Sequence, residues 1–461
     1  MSVASVQHVA RNPIAKGLWR LTRACQSHPL TTRRPGGRGR TAGPRGMKRT
    51  SSAILVAALS GILAGPPALS QTTIGATDGD QPELRIDVGA VWLSGSDAAA
   101  SSEILYDIDA ELEFEFFTDS GRRWGFVLGA RIERDSGRRA WGGRVGDCPA
   151  GLGDCASTLV DGSVRPVRSA ASGFQSAVPG YGDGTRIALQ SGYGFLDIGW
   201  GEVRAGYGPG AADLDAARGP SAFRLSRADS GRVDLTGLSG ARTRNLSSGN
   251  AFKLVYRSIA IGQSSSVGSL RIASSFTPRI RDCGVDHCAW QAGPAGSVSP
   301  VFDKVWEFGA RYEILRGENE FAFSLGLSEG AEASGISGFT GLSTQDAGFH
   351  WSRGSFSAGA RWLQSNNGIG SDGGYEAWSV SVAMEQGSWL TALELAQFSD
   401  DLVHVDGRTV QLSASRLIGE RWVLGGGIQA ARREEPVVTL SGREQIELTA
   451  TAIFVELGWQ F

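Results

Sequence analysis

The chain has 461 residues, 65 of them glycine, and a formal net charge of −2. Residues 1–70 hold eleven Lys or Arg and no Asp or Glu, so 71–461 carry 34 basic against 47 acidic residues, an acidic body unsuited to nucleic acid. No apolar run reaches the roughly 20 residues a membrane helix needs, which excludes a helical membrane protein but not a barrel, whose strands alternate.

Residues 1–46 are rich in Arg, Pro and Gly and show no apolar period. They read as an upstream extension, with Met47 as the expected start. The pair Arg33-Arg34 is followed by Pro35-Gly36-Gly37, which is not the apolar continuation that twin-arginine export needs. Lys48 and Arg49, the apolar run Ala53 to Leu63 and the small residues of Ala68-Leu69-Ser70 form a secretory signal over 47–70, with cleavage expected before Gln71. Cys25 falls in the part removed. Beyond residue 70 only Lys253 and Lys304 are lysines. The other cations are Arg, which keep their charge and offer a rigid donor fork to carboxylates or to a pore.

The clearest strand runs from Ile104 to Phe116. Ile104, Tyr106, Ile108, Ala110, Leu112, Phe114 and Phe116 share one face, while Asp107, Asp109, Glu111, Glu113 and Glu115 share the other. Five carboxylates in a row cannot face a dry core. An apolar side toward lipid and an acidic ladder toward a wet lumen satisfies both faces. Thr118 to Gly121 is a tight turn. Beyond it Trp124, Phe126, Leu128, Ala130 and Ile132 continue the apolar face, and Arg123, Arg131 and Glu133 the polar one, so that arginines stand beside the ladder.

The same unit recurs. Strands are predicted near 82–93, 103–117, 122–134, 185–198, 202–208, 250–258, 267–276 and 304–315. Others follow near 319–329, 346–353, 355–365, 375–386, 388–398, 408–417, 420–433 and 445–461. Sixteen is an even number, and lengths near ten residues suit tilted membrane strands. The predicted fold is all-β, a transmembrane antiparallel barrel over 71–461. Short connections at 118–121, 199–201, 315–318, 354, 387 and 418–419 alternate with long polar ones, as on the two rims of such a barrel. Trp124, Phe321, Phe356, Trp389 and Trp422 come just after short turns and predict an aromatic girdle.

Two long connections carry cysteine pairs, Cys148 with Cys155 in 135–184 and Cys283 with Cys288 in 277–303. In an exported body they predict two local disulfides. A metal site is the alternative, but only His287 is near and paired-Cys zinc spacing is absent. In the last strand Ile453, Val455, Leu457, Trp459 and Phe461 share one face, while Ala452, Glu456, Gly458 and Gln460 lie between them. An apolar-alternating strand ending in Phe resembles the terminal signal of bacterial outer-membrane barrels, which implies recognition of Phe461 and Trp459 by the barrel assembly machinery.

Tyr193-Gly194-Phe195-Leu196-Asp197-Ile198-Gly199-Trp200-Gly201-Glu202-Val203-Arg204-Ala205-Gly206-Tyr207-Gly208 reads as strand, Gly-bounded turn and strand. The segment resembles the Gram-negative general porin family, and with the export signal, the strand count and Phe461 the resemblance covers about 71–461. It implies an outer-membrane homotrimer embedded in lipid. It also implies that the loop after the fifth strand, here 209–249, folds inward to constrict the pore. Asp213 and Asp215 would face arginines of the wall, with Arg131, Arg186 and Arg204 as the partners; Lys253, Arg257, Arg311 and Arg361 share their parity. The loop also holds Asp229 and Asp234 but six arginines, and it lacks the family's Pro-Glu-Phe-Gly-Gly segment.

The expected function is passive diffusion of small hydrophilic solutes and ions, with no cofactor and no catalytic group. A channel specific for anions or sugars is the nearest variant. A barrel protease or phospholipase is the competing class, and Asp400, Asp401, His404 and Asp406 in one predicted outer loop are its candidate residues.

Overall fold

In a computed structural model, the residues described are 82–95, 103–134, 144–145, 171, 175–176, 185–264, 267–281, 301–335, 339–369, 373–401, 404–419, 421–439 and 442–460. The predicted disulfide cysteines, Phe461 and the segment 1–70 lie outside them. Strands β1 (Glu83–Gly95), β2 (Glu103–Phe117) and β3 (Arg123–Arg134) come first. The two-residue strands β4 (Arg144–Val145) and β5 (Gln175–Ser176) pair only with each other, in parallel. Strands β6 (Arg186–Asp197) and β7 (Gly201–Gly208) precede the single helical turn α1 (Ala211–Leu214). Then come β8 (Ala251–Ser258), β9 (Ile261–Ser264), β10 (Gly268–Arg281), β11 (Val301–Arg316) and β12 (Asn319–Glu332). The remainder are β13 (Leu342–Arg353), β14 (Phe356–Ser365), β15 (Tyr375–Gln386), β16 (Trp389–Asp400), β17 (Val405–Ile418), β18 (Trp422–Thr439) and β19 (Gly442–Gln460).

Sixteen of these strands form one closed antiparallel ring, each bonded to its neighbours in chain order. β3 passes directly to β6 and β8 to β10. β19 returns to β1, from Asp87 opposite Gln460 to Gly95 opposite Ala452. Closure leaves no strand edge, which lets the backbone of a barrel satisfy itself inside a bilayer. The sequence prediction missed two features. The connection between β8 and β10 lies on the short-turn rim, yet it carries the extra strand β9, which pairs with β10. Strands on the long-loop side also run further than their alternation, β10 to Arg281 and β18 to Thr439.

The outer face is apolar and exposed. Trp306, Phe323, Leu325, Leu327, Phe356, Val380, Val382, Leu393, Leu395, Leu412, Ile428, Ile453 and Val455 are exposed on β11, β12 and β14 to β19, as are Trp92, Ile104, Leu128, Leu189 and Leu254 on β1, β2, β3, β6 and β8. An apolar surface that continues around the whole molecule is not stable in water, so this barrel is built to sit in a bilayer. Rings gather beside the short turns, where Phe116 stacks on Trp124 at 4.6 Å and Trp200 meets Tyr256 at 4.9 Å. Trp459 faces Trp422 across β18 and β19 at 6.0 Å.

The inner face is less polar than alternation implies. Val91, Leu105, Ala383, Ala392, Ala452 and Phe454 point inward and are buried by Phe223, Leu225, Val233 and Leu235 of the 209–249 loop. A second inward cluster joins Leu363, Tyr375, Ala377, Ala396, Phe398 and Val405 to Ala228 and Ala241 of the same loop. The loop therefore lies inside the barrel and brings an apolar core with it. Two glycines of the wall show how close it comes. A Cβ at Gly309 would stand 2.4 Å from the carbonyl oxygen of Ala211, and one at Gly348 2.5 Å from that of Ala217. Only a residue without a side chain admits the loop backbone there.

Phe454 packs on Phe223 at 5.5 Å between centroids. Phe454→Ala is expected to cost about 3–5 kcal/mol of stability, the range for a deleted core ring. Urea unfolding of the barrel refolded into lipid vesicles measures this, and an unchanged midpoint would refute the inner core.

Candidate functional site: the loop inside the barrel

A loop inside a barrel must replace the water its backbone has lost. Here the inward-facing wall supplies the partners strand by strand. The Ala211 N–H donates to Ser275 of β10 at 3.1 Å and that of Ala217 to Ser324 of β12 at 2.8 Å. On β16, Glu394 accepts the Ser221 hydroxyl at 2.5 Å and the Ala228 N–H at 3.2 Å. On β19, Glu456 takes the N–H groups of Leu225 and Ser226, one on each oxygen, at 3.1 and 3.0 Å. The return limb is held in the same way. Gln411 and Gln429 donate to the carbonyls of Ser226 and Arg227. The Tyr375 hydroxyl donates to the Gly240 carbonyl at 2.9 Å and accepts the Arg242 N–H at 2.7 Å. The loop thus follows the inner wall from β10 to β19.

Its charged groups then reach the rest of the ring. Arg224 donates to Asp109 at 2.8 Å and to Asp107 at 3.3 Å, both on β2. Arg232 lies 3.5 Å from Asp109. Asp215 accepts Arg257 of β8, with Nε at 2.9 Å. Asp213 is gripped by two nitrogens of Arg244, Nε at 3.0 Å, and touched by Arg218 at 3.5 Å. Burial would raise the Asp213 carboxyl, but Arg244 and Arg218 outweigh it and hold it down at about 2. Arg218, crowded first by Arg244 and also by Arg361 and Arg227, is pushed down to about 9. Burial likewise acts to raise Asp229, yet hydroxyls of Thr243, Ser379 and Ser230 hold it low.

The expected constriction residues are not assembled as one facing set. Asp213 and Asp215 do enter the barrel, but their carboxylates are buried against Arg244, Arg218 and Arg257. Arg131 belongs to a different cluster: it is 2 % exposed and lies between Asp107 and Glu133. Arg204 pairs with Glu202 and lies over the Tyr193 ring at 5.1 Å. Arg186 opens β6, and its backbone stands opposite Glu133. The arginines that meet the two aspartates come largely from the loop itself, which parity along the wall strands cannot reveal. The six loop arginines were the available signal.

The acidic ladder divides in two. Asp107 is fully buried under Arg131 and Arg224, while Glu111, two pleats nearer the short turns, is exposed to water. Glu113 and Glu115 are half-buried, with Arg123 on Glu115 at 3.3 Å. Asp400 does not lie in an outer loop. It closes β16, is 1 % exposed and accepts Asn367 Nδ2 at 3.4 Å. Asp401 and His404 are exposed in the connection, and Asp406 lies on β17. Ala171, from the connection between β3 and β6, donates to Asn367 at 2.8 Å at the same mouth. Among the described residues no group of His, Cys, Asp and Glu is arranged to hold a metal ion.

No family model matches the sequence, and no curated protein does. Three solved structures illustrate what the chain is similar to. An anion-selective porin from Comamonas acidovorans is 14% identical, with 83% of this chain and 100% of that one covered and a TM-score of 0.45. OmpT, an outer membrane protein of Vibrio cholerae solved in a trimer form, is 8% identical over 83% and 100%, at 0.47. OmpF of Salmonella typhi in complex with daunomycin is 9% identical over 83% and 98%, at 0.49. At such scores none of them bears on this site, and the barrel stands on its own strand register.

Two outcomes are expected. Glu456→Ala strands the N–H groups of Leu225 and Ser226 at about 1–3 kcal/mol each, so amide exchange over 221–230 should accelerate at least tenfold; unchanged protection would show that Glu456 does not hold the loop. The Asp213 carboxyl sits below its ordinary value of 3.8, so its ion pair stabilises fully above that value and is lost as pH falls through about 2. Exchange over 209–218 should therefore stay slow from pH 7 to about pH 4, and an opening in that window would contradict the pairing.

Proposed function

We propose that residues 71–461 form a water-filled channel in the outer membrane of a Gram-negative bacterium, through which small hydrophilic solutes and ions diffuse passively. The observation that carries this reading is the state of the loop's cations. Arg218, Arg224, Arg232 and Arg244 lie within the ring of strands, yet each keeps part of its surface in contact with solvent. A barrel packed solid would have covered them at a cost of several kcal/mol each, whereas here water reaches them inside the ring. The loop narrows the lumen along the wall from β10 to β19, while the inner faces of β2, β3 and β7 keep Glu111, Arg123 and Arg204 in reach of water. Selection then follows from size and from fixed charges at the narrowing. By resemblance the assembly is a homotrimer, inserted by the barrel assembly machinery through its last strand, after removal of 47–70.

Single-channel recording of refolded 71–461 in a planar bilayer tests this. Discrete conductance steps are expected, grouped in threes if three barrels insert together. Isolated single steps would remove the trimer alone. A bilayer that stays silent with correctly refolded protein would remove the channel.

A further inference from the structure

We infer that the loop presents an oriented charge layer, guanidinium toward the lumen and carboxylate behind it, which makes the narrowing a selective site for small oxyanions, with Arg218 as the first contact. This rests on the channel reading above. Counted as bare charges, the loop and its wall partners are close to balanced, and a count gives no preference. Depth breaks the tie. Where Arg218, Arg224, Arg244 and Arg257 meet Asp213, Asp107 and Asp215, the arginine is 22–46 % exposed and the carboxylate 0–6 %, while Arg131, 2 % exposed, is sealed in with Asp107 away from the lumen. Asp109, at 20 %, is still less exposed than its partners Arg224 and Arg232. The other carboxylates at the loop, Asp229, Asp234, Glu394 and Glu456, are buried and turned onto hydroxyl or N–H donors. A solute in the lumen therefore meets the cation of each pair first, and the nearer charge dominates because the interaction falls with distance.

Arg218 has the best access. It is the most exposed arginine of the loop pairs, and its 3.5 Å contact with Asp213 is long, since Arg244 already grips that carboxylate with two nitrogens. Behind it Arg361, 4 % exposed, gives one nitrogen to Asp346 at 2.8 Å, while its Nε and Nη1 have no hydrogen-bond partner among the described residues. Arg218, Arg244 and Arg361 thus lie about Asp213, with Arg227 beside Arg218 and Asp346 on Arg361, and of these arginines Arg218 shows the most surface to water. A planar guanidinium fork matches two oxygens of a carboxylate or a phosphate, so oxyanions are the ligand class. Toward the short-turn rim the accessible groups are mixed, with Glu111, Glu113 and Glu115 beside Arg123.

The test is the reversal potential of refolded 71–461 in a planar bilayer under a potassium chloride gradient, followed by titration with inorganic phosphate and, separately, with acetate. The expected chloride-to-potassium permeability ratio is about three or more. Arg218→Gln should lower it at least twofold, Arg218→Glu should carry it below one, and Arg218→Lys should retain the preference. Micromolar to millimolar phosphate should reduce chloride current in the wild type and not in Arg218→Gln; block by acetate alone would assign the site to carboxylates, and block by both to oxyanions at large. A conducting wild type with a ratio at or below one, or a conducting Arg218→Glu with an unchanged ratio, overturns the inference and leaves the channel standing. If Arg218→Glu does not refold, loss of the preference on phenylglyoxal treatment of the wild type supports it and retention overturns it. Silence of every variant and of the wild type removes the channel and this inference together.

Discussion

A polypeptide segment of 41 residues cannot be taken out of water unless its backbone finds partners elsewhere, and this constraint shapes the molecule. The 209–249 loop has no sheet and only one helical turn of its own. Its N–H and carbonyl groups are met by side chains of the wall: Ser275, Ser324, Tyr375, Glu394, Gln411, Gln429 and Glu456. Each sits at an inward position of a different strand or limb, so the barrel serves as the second half of a fold that the loop alone lacks. The carboxyl groups at 394 and 456 act here as acceptors for amides, turned onto the loop backbone.

Packing and charge divide the labour on that frame. Apolar loop residues such as Phe223 and Leu225 settle against Phe454, Leu105 and Val91, and glycines at 309 and 348 let the backbone approach the wall. Ion pairs then fix the loop to β2 and β8 through Arg224 and Arg257. Surface ion pairs add little stability, but these are half-covered and fork-shaped, which gives them direction. Direction is what the lumen reads.

Most of the barrel was legible because a lipid-facing strand leaves a strict mark. Ile104 to Phe116 and Ile453 to Leu457 alternate on the outside for one physical reason, and sixteen such segments are what closes into the observed ring. Short turns held by glycine, such as Gly354 and Gly387 at positive φ, fixed the rim. The inside was less legible because two rules compete there. Water asks for polar residues, and the loop asks for apolar ones, so Leu105 and Phe454 broke the alternation at the positions where the loop lies. Runs of consecutive apolar residues, such as Ile453-Phe454-Val455, were the trace of that second rule. The ion pairs were hidden for another reason: Asp213 with Arg244 and Asp215 with Arg257 span 31 and 42 positions, and nothing local records such a partnership.

The docking of Glu456 and Phe454 on the loop has a consequence for the order of assembly. These residues lie on the last strand, whereas Leu225 and Ser226 are made more than 200 positions earlier. Until β19 arrives, the middle of the loop has neither its amide acceptors nor its ring partner, and it must wait in water, uncompacted. Seating the middle of the loop is thus a late event that coincides with ring closure between β1 and β19. Contacts of such long sequence separation are slow to form. The loop takes its final seat only when the ring is sealed, so docking of its middle and completion of the wall are the same step.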